Sequence, residues 1–453
     1  MSDVWKSTLI SDALLVNPTL PPQVTDKGWL LVEGGRIKAM GRGAPPAEWV
    51  RAADHRVSAR GGILLPGLVN AHNHAAMTLF RGLADDLPLK EWLEGTIFPV
   101  EARVVDEAFV HWGTLLACAE MIRSGTTAFA NAYFHEDQAM DAVKRSGMRA
   151  VLAQGVVDFP VPDCPDPSVN VENAIGFVNR SWGEEPVFPG IFCHSPYTCS
   201  PQTIVKAKEV CRVHQVPFFI HAAETQWELH ETRERYGTTP IRHLDRLGVL
   251  DRGSILVHGV WMDEEEIRIV ADRGSGIVVC TESHMKLASG IAPLPQFLSH
   301  GIRVGLGTDG PASNNDLDLF GEMDLTAKLH KLHREDPTIL DAATTLNLAT
   351  HGGARLLGWE DVGLLEPGYQ ADLILLRSDQ AHLQPLYHPV SQLVYAARGA
   401  DVTSVWIRGE LVMQDRRLLT LDEAEIFREV ERLAAKVRLT PHASRLTPSG
   451  APP

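Results

Sequence analysis

The stretch Ile63-Leu64-Leu65-Pro66-Gly67-Leu68-Val69-Asn70-Ala71-His72-Asn73-His74 sets the frame for the whole chain. An apolar run of this length bounded by polar residues predicts a buried strand over 63–72. Side-chain direction in a strand repeats every two residues, so His72 and His74 point to one side. Two imidazoles on one face at a strand end suit a divalent metal. A metal-dependent hydrolase is the chemistry such a strand suggests.

Downstream, short apolar runs alternate with amphipathic helical patterns. The runs predict strands over 126–131, 149–157, 187–194, 217–224, 254–260, 276–281 and 303–309. Between them lie helical patterns over 106–123, 136–146, 201–214, 238–247 and 263–272. Ser200 before Pro201 is a good helix start, a capping hydroxyl followed by proline at the first helical position. Asp263-Glu264-Glu265-Glu266 places negative charge in a first turn, where the helix dipole favours it. Alternation of this kind implies a parallel sheet. Eight strand–helix units imply an α/β fold of the (β/α)8 TIM-like barrel type. An open doubly wound sheet is the alternative; the barrel is preferred because only a closed ring gathers the polar residues at the strand ends.

The two ends of the chain read differently. Short strands with turns are expected over 9–16, 28–33 and 36–40, and again over 371–376, 402–407 and 411–413. Together they suggest a small β-sandwich domain formed from both termini. The expected division is 1–62 for the first part of that domain, 63–365 for the metal-dependent barrel and 366–421 for the second part. A C-terminal helix over 422–436 and a loose Pro- and Ser-bearing tail over 438–453 complete the chain, within a final segment 422–453.

The sequence carries 42 Lys and Arg against 57 Asp and Glu, a formal net charge of −15. That repels phosphate backbones and argues against nucleic acid as the main partner. The six cysteines are scattered without C-x-x-C spacing, so neither a disulfide framework nor a structural zinc knot is expected. A reducing, cytoplasmic setting fits that usage. No signal-peptide pattern opens the chain and no run is long enough to span a bilayer, so no membrane partner is expected.

In such a barrel, active sites sit at the C-terminal ends of the strands. The first strand gives His72 and His74, and the fourth ends in His194-Ser195-Pro196-Tyr197. The fifth ends in His221-Ala222-Ala223-Glu224, the sixth holds His258, and the eighth ends in Thr308-Asp309-Gly310. A lone histidine at a strand end is commonly a hydrogen-bonded structural residue, and T-D-G is a common turn. Recurrence at matching positions of separate strands is what lifts these residues above that background.

P-G-x-V-N-x-H-x-H, then H-x-x-E, then a later His and G-T-D, resemble the amidohydrolase superfamily. More narrowly, Ala84-Asp85-Asp86-Leu87-Pro88-Leu89-x-Glu91-Trp92-Leu93, His194-Ser195-Pro196-Tyr197-Thr198-Cys199-Ser200-Pro201, Met285-Lys286-Leu287-Ala288-Ser289-Gly290 and Gly307-Thr308-Asp309-Gly310-x-x-Ser313-Asn314-Asn315 are similar to the 5′-methylthioadenosine/S-adenosylhomocysteine deaminase branch. The resemblance covers nearly the whole chain. Triazine hydrolases and guanine and cytosine deaminases share much of the same frame.

The resemblance implies one divalent metal, Zn²⁺ or Fe²⁺, held by His72, His74, His221 and Asp309. Three neutral imidazoles and a carboxylate suit those ions. Binuclear relatives bridge two metals with a carbamylated lysine on the fourth strand; residues 187–194 contain no lysine, so one metal is expected. His258 and Asp309 are implied to orient the attacking water, and Glu224 to shuttle the proton to the ring nitrogen beside the attacked carbon. Glu101, in the helical lid after the first strand, is the implied ribose-diol acceptor. His194 is a further substrate contact, and Trp92 with Ile97 and Phe98 is placed to line the pocket. The implied activity is hydrolytic deamination of the adenine ring of 5′-methylthioadenosine, S-adenosylhomocysteine or adenosine, with a small nucleoside as partner. A homo-oligomer, dimer or tetramer, is expected by analogy of fold alone.

Two positions depart from the branch pattern. Gln154 stands in Val151-Leu152-Ala153-Gln154-Gly155 where an Arg is usual. Cys280-Thr281-Glu282-Ser283-His284 replaces N-P-x-S-N after the seventh strand. Both bear on substrate recognition. The rival readings are an aminohydrolase or chlorohydrolase for a triazine, guanine or cytosine ring, and a non-catalytic assembly protein on the same scaffold.

Overall fold

The structure is a computed structural model that describes residues 6–439. Eight parallel strands run in chain order around a barrel: β1 (Leu68–Asn73), β2 (Thr126–Tyr133), β3 (Arg149–Val156), β4 (Val187–Cys193), β5 (Phe218–Ala222), β6 (Ser254–His258), β7 (Gly276–Val279) and β8 (Arg303–Leu306). Their residues are almost all buried, which is why they read as continuous rather than alternating apolar runs. The ring closes between β8 and β1. Past β8 the Asp309 N–H donates to the His72 carbonyl at 3.0 Å. Asn70 Nδ2 donates to Thr308 Oγ1 at 2.8 Å, and the Thr308 N–H returns to Asn70 Oδ1 at 3.1 Å. A Cβ at Gly307 would lie 2.8 Å from the His72 nitrogen, so the seam needs a glycine. These contacts replace the open sheet with a barrel.

The expected first strand is in fact two. Ile63–Pro66 pairs antiparallel with Leu373–Leu376 and parallel with the first strand of the chain, and so belongs to the terminal sheet. The chain then passes through Gly67, where a Cβ would sit 2.0 Å from Thr127 Oγ1, and enters the barrel at Leu68 rather than at residue 63. Apolar periodicity does not register this break, because both halves are buried.

The terminal sheet takes Ser7–Asn17, Gln23–Glu33, Arg36–Arg42, His55–Ser58 and Ile63–Pro66 from one end of the chain. From the other it takes Leu373–Leu376, Val402–Ile407, Glu410–Gln414 and Arg417–Leu418. The nine strands form one hydrogen-bonded sheet that curls over its own core of Ile10, Leu30, Leu64, Leu373 and Trp406. Its two hairpin turns meet, with the Ala371 N–H on the Gly35 carbonyl at 2.9 Å and the Gly409 N–H on the Ala371 carbonyl at 3.0 Å. Arg149 at the base of β3 joins barrel to sheet through Asp372, Nε to Oδ2 at 3.0 Å, with both side chains buried.

Side-chain caps open several of the helices. Asp106 accepts from the Phe109 N–H at 2.8 Å at the start of Glu107–Arg123. Ser200 caps Pro201–His214, and Asp263 with Glu266 forms a full capping box on Glu264–Arg273. The last helix, Glu423–Arg438, is clamped to Glu107–Arg123 by a bidentate Arg123–Glu423 pair. Residues 440–453 of the expected loose tail lie outside the described residues. No helix among the described residues is long and apolar enough to cross a membrane. All six cysteines are buried and unpaired with one another.

Candidate active site

The C-terminal ends of the barrel strands bring the expected residues together. His72, His74 and His221 offer nitrogens that all lie within 4.8 Å of one another. His221 Nε2 is 3.3 Å from His72 Nε2. Asp309 Oδ1 lies 3.6 Å from His72 Nε2 and 3.4 Å from His74 Nε2. His74 Nδ1 sits 2.5 Å from the Ala132 carbonyl, an acceptor that fixes the proton on Nδ1 and leaves Nε2 bare toward the cluster.

Each strand end is shaped to aim its side chain. Ala223, His258 and Asp309 adopt φ of 56°, 83° and 60°, left-handed conformations that L-residues with a Cβ hold only when their surroundings enforce them. A buried glutamate on the helix after the strand enforces one of these turns. Glu228 accepts from the Ala223 and Glu224 N–H groups at 2.9 and 2.7 Å. The same device recurs where Glu136 accepts from the Tyr133 N–H at 2.9 Å after β2; after β7 the N–H groups of Thr281 and Glu282 go instead to Glu322, on the helix that follows β8.

The electrostatics separate the two carboxylates at the cluster. Burial acts to raise Asp309, but the adjacent imidazoles of His72, His74 and His258 outweigh it and hold the carboxyl well below its usual range. Ser283 and Ser313 each donate to Asp309 Oδ2 at 2.7 Å, and the Gly310 N–H donates to Oδ1 at 2.7 Å. Glu224 goes the other way: burial first, then the charges of Asp309 and Glu228, push it well above the ordinary carboxyl range. His221 and His258 are driven well down by burial and by neighbouring imidazoles. Burial thus favours the neutral imidazole at His74 and His221, the neighbouring rings favour the ionised carboxylate at Asp309, and with His72 they converge on a point, the type of donor set that a divalent cation requires.

Glu224 and His258 face each other at 3.6 Å, Oε2 to Nε2. Behind them His258 Nδ1 meets His284 Nε2 at 3.0 Å, and Ser289 Oγ reaches Glu224 Oε1 at 3.5 Å. A cavity opens from this group. Its walls include Trp92, Phe98, Glu101, Tyr133, His194 and Phe159. Glu101 is 6% exposed, accepts from the Tyr133 hydroxyl at 2.6 Å and is raised to about 7 by burial. His194 Nδ1 is within 3.0 Å of Thr198 Oγ1, and burial takes the ring down to about 3.

Gln154 is the exception among the expected contacts. It does not line the cavity; its amide donates to Asp163 Oδ2 at 2.7 Å. Ser283, Ser313, Tyr133 and Glu228 were not singled out from the sequence. Of these only Ser283 and Ser313 lie in stretches whose motif or departure had been noted, beside His284 and Asp309.

The amidohydrolase family pattern matches residues 63–412. The chain is 46% identical over 442 residues to the 5-methylthioadenosine/S-adenosylhomocysteine deaminase of Syntrophobacter fumaroxidans, covering 94% of this chain and 99% of that one. It is 43% identical over 416 residues to 5-methylthioadenosine/S-adenosylhomocysteine deaminase 1 of Syntrophus aciditrophicus, covering 91% and 93%. Among solved structures, an adenosine deaminase from Xanthomonas campestris with bound zinc superposes with a TM-score of 0.91 at 37% identity, covering 96% of this chain and 99% of that one. The chain belongs to the amidohydrolase family.

Proposed function

We propose that this chain is a zinc-dependent aminohydrolase that deaminates the adenine ring of a nucleoside: 5′-methylthioadenosine, S-adenosylhomocysteine or adenosine. One observation carries the reading. A cavity has a metal-ligand cluster with a facing Glu224–His258 pair at one end and a buried carboxylate, Glu101, on its wall. The deaminase names of relatives 43–46% identical over most of their length, and the zinc of the Xanthomonas campestris structure, support the same choice.

His72, His74, His221 and Asp309 would hold the cation. When bound there, a divalent ion lowers the pKa of water to about 7 and so supplies a nucleophile at neutral pH. The chain's own groups do the rest. Glu224, kept protonated by burial, donates to the ring nitrogen beside C6 as the C–O bond forms. His258 and Asp309 orient the water and take its proton. The proton then passes to the amino group, the C–N bond breaks, and ammonia leaves with a hypoxanthine nucleoside behind. Glu101 accepts hydrogen bonds from the ribose diol, which a carboxylate can do with both oxygens. His194, Trp92 and Phe98 bound the nucleoside on the cavity walls.

Incubating the zinc-loaded protein with each nucleoside, and following the shift from adenine to hypoxanthine absorbance together with ammonia release, tests this. Stoichiometric ammonia from at least one of the three is expected. No turnover of any of them by metal-replete protein rejects the reading.

A further inference from the structure

We infer that the cavity selects an adenine nucleoside whose 5′ substituent is short and uncharged, such as methylthio or hydroxyl, over one that ends in an amino-acid zwitterion. The inference rests on the deaminase reading and narrows its substrate. Among the described residues, those lining the cavity include no lysine and no arginine. Its ionisable groups are the imidazoles and carboxylates already assigned, together with the neutral phenols of Tyr133 and Tyr197. A substrate carboxylate taken into that space would be buried with no cation beside it, an arrangement that costs far more than burying a methyl group gains.

The walls away from the metal-ligand cluster are apolar. Phe98 and Phe159 meet with ring centroids 5.4 Å apart, and Pro160, Val161 and Pro162 continue that surface. The loop that carries the last four is pinned through Asp163. That carboxylate accepts from the His135 N–H at 2.8 Å and from Gln154 Nε2 at 2.7 Å. Gln154 is thus a positioning residue. It holds the apolar loop against the cavity and presents no charge to it.

A longer tail would emerge into the adjoining cleft, which shares Leu93, Phe98, Phe159, Pro160 and Tyr197 with the cavity. That cleft offers Lys90 and Arg235 against Glu94, Asp158 and Glu231. Arg235 is committed to Glu231 at 2.5 Å and to the Tyr197 carbonyl at 2.7 Å, and Lys90 lies 5.1 Å from the centre of the Trp227 ring. The balance of charge there is negative, which disfavours a tail carboxylate a second time.

Steady-state kcat/KM of the zinc-loaded full chain on 5′-methylthioadenosine and on S-adenosylhomocysteine tests this, with Phe159→Ala as the companion variant. A ratio of ten or more in favour of methylthioadenosine is expected, and Phe159→Ala should lower kcat/KM for methylthioadenosine several-fold while lowering that for adenosine less. A ratio below ten with turnover intact overturns the inference and leaves the deaminase reading standing. An unchanged methylthioadenosine-to-adenosine ratio in Phe159→Ala also overturns it. Turnover of neither nucleoside, nor of adenosine, rejects both together.

Discussion

The Tyr133 hydroxyl, on the second barrel strand, donates a 2.6 Å hydrogen bond to Glu101 Oε1 on the helix after the first. Burial raises Glu101 to about 7, and the Tyr133 bond acts against that rise. A raised carboxyl stays protonated, and a poor partner for two diol hydroxyls, until the pH passes its pKa. KM for the nucleoside should therefore fall as pH rises from about 6 to about 8, with kcat changing less. Glu101→Gln should raise KM roughly tenfold or more, as expected for a lost charged hydrogen bond, and flatten that limb. Tyr133→Phe removes the bond that favours the ionised form, so it should move the limb to higher pH. Initial rates across the range check all three.

His284 is placed to act through His258. Its Nε2 is the 3.0 Å partner of His258 Nδ1, so it fixes which way that ring presents Nε2 to Glu224. Partners of this kind typically contribute 10–100-fold. We expect His284→Ala to lower kcat by about tenfold or more while KM stays within about twofold and metal content is unchanged. A matched fall in metal content would assign His284 to the cluster instead.

The barrel's frame was legible because its signals are local. His72 and His74 declare their shared face by spacing, and Ser200 and the acidic turn from Asp263 declare helix starts by side-chain chemistry, both of which the structure reproduces. The break at Gly67 was not legible, since Ile63–Pro66 and Leu68–Asn73 are both buried and read as one apolar run. Closure of the ring was read from the polar residues at the strand ends, but the contact that makes it, Asn70 with Thr308 across 238 residues, was not. At the site, strand-end histidines could be found one by one. Tyr133, Glu228 and the Asp163 partner of Gln154 could not, because their roles exist only through contacts made in three dimensions. Gln154 shows the limit well: its place in a motif suggested a substrate contact, and its side chain turns to Asp163 instead.

Arg149 and Asp372 join the barrel to the terminal sheet as a buried ion pair. Removing one partner strands a charge, which typically costs about 3–5 kcal/mol. Asp372→Ala should lower stability by that amount in urea unfolding. It also removes the acceptor of the Arg408 N–H, which makes the larger end of the range the better expectation. Replacing both partners by apolar residues, Arg149→Met with Asp372→Leu, should recover a substantial part of the loss.

Glu136 gives a pH signature in stability. It is fully buried, accepts from Asn131 Nδ2 at 2.7 Å and from the Tyr133 N–H, and is raised to about 8 by burial. Because its folded pKa lies above the unfolded value, its contribution is fully present below about pH 4.5 and is lost as pH rises through about 8. Wild-type unfolding free energy should fall across that window with a slope steeper than that of Glu136→Gln. The difference should approach one proton, about 1.4 kcal/mol per pH unit. Denaturant titrations at a series of pH values measure it directly.

Deamination by this chain requires His72, His74, His221 and Asp309 to hold one activating cation, as proposed above. Metal content by elemental analysis, measured on the same preparations whose deaminase rate is recorded, tests it most directly. About one divalent ion per chain is expected, most of it lost together with activity in His221→Ala and Asp309→Ala. Full activity in metal-free protein, two ions per chain, or undiminished metal in both variants would contradict it.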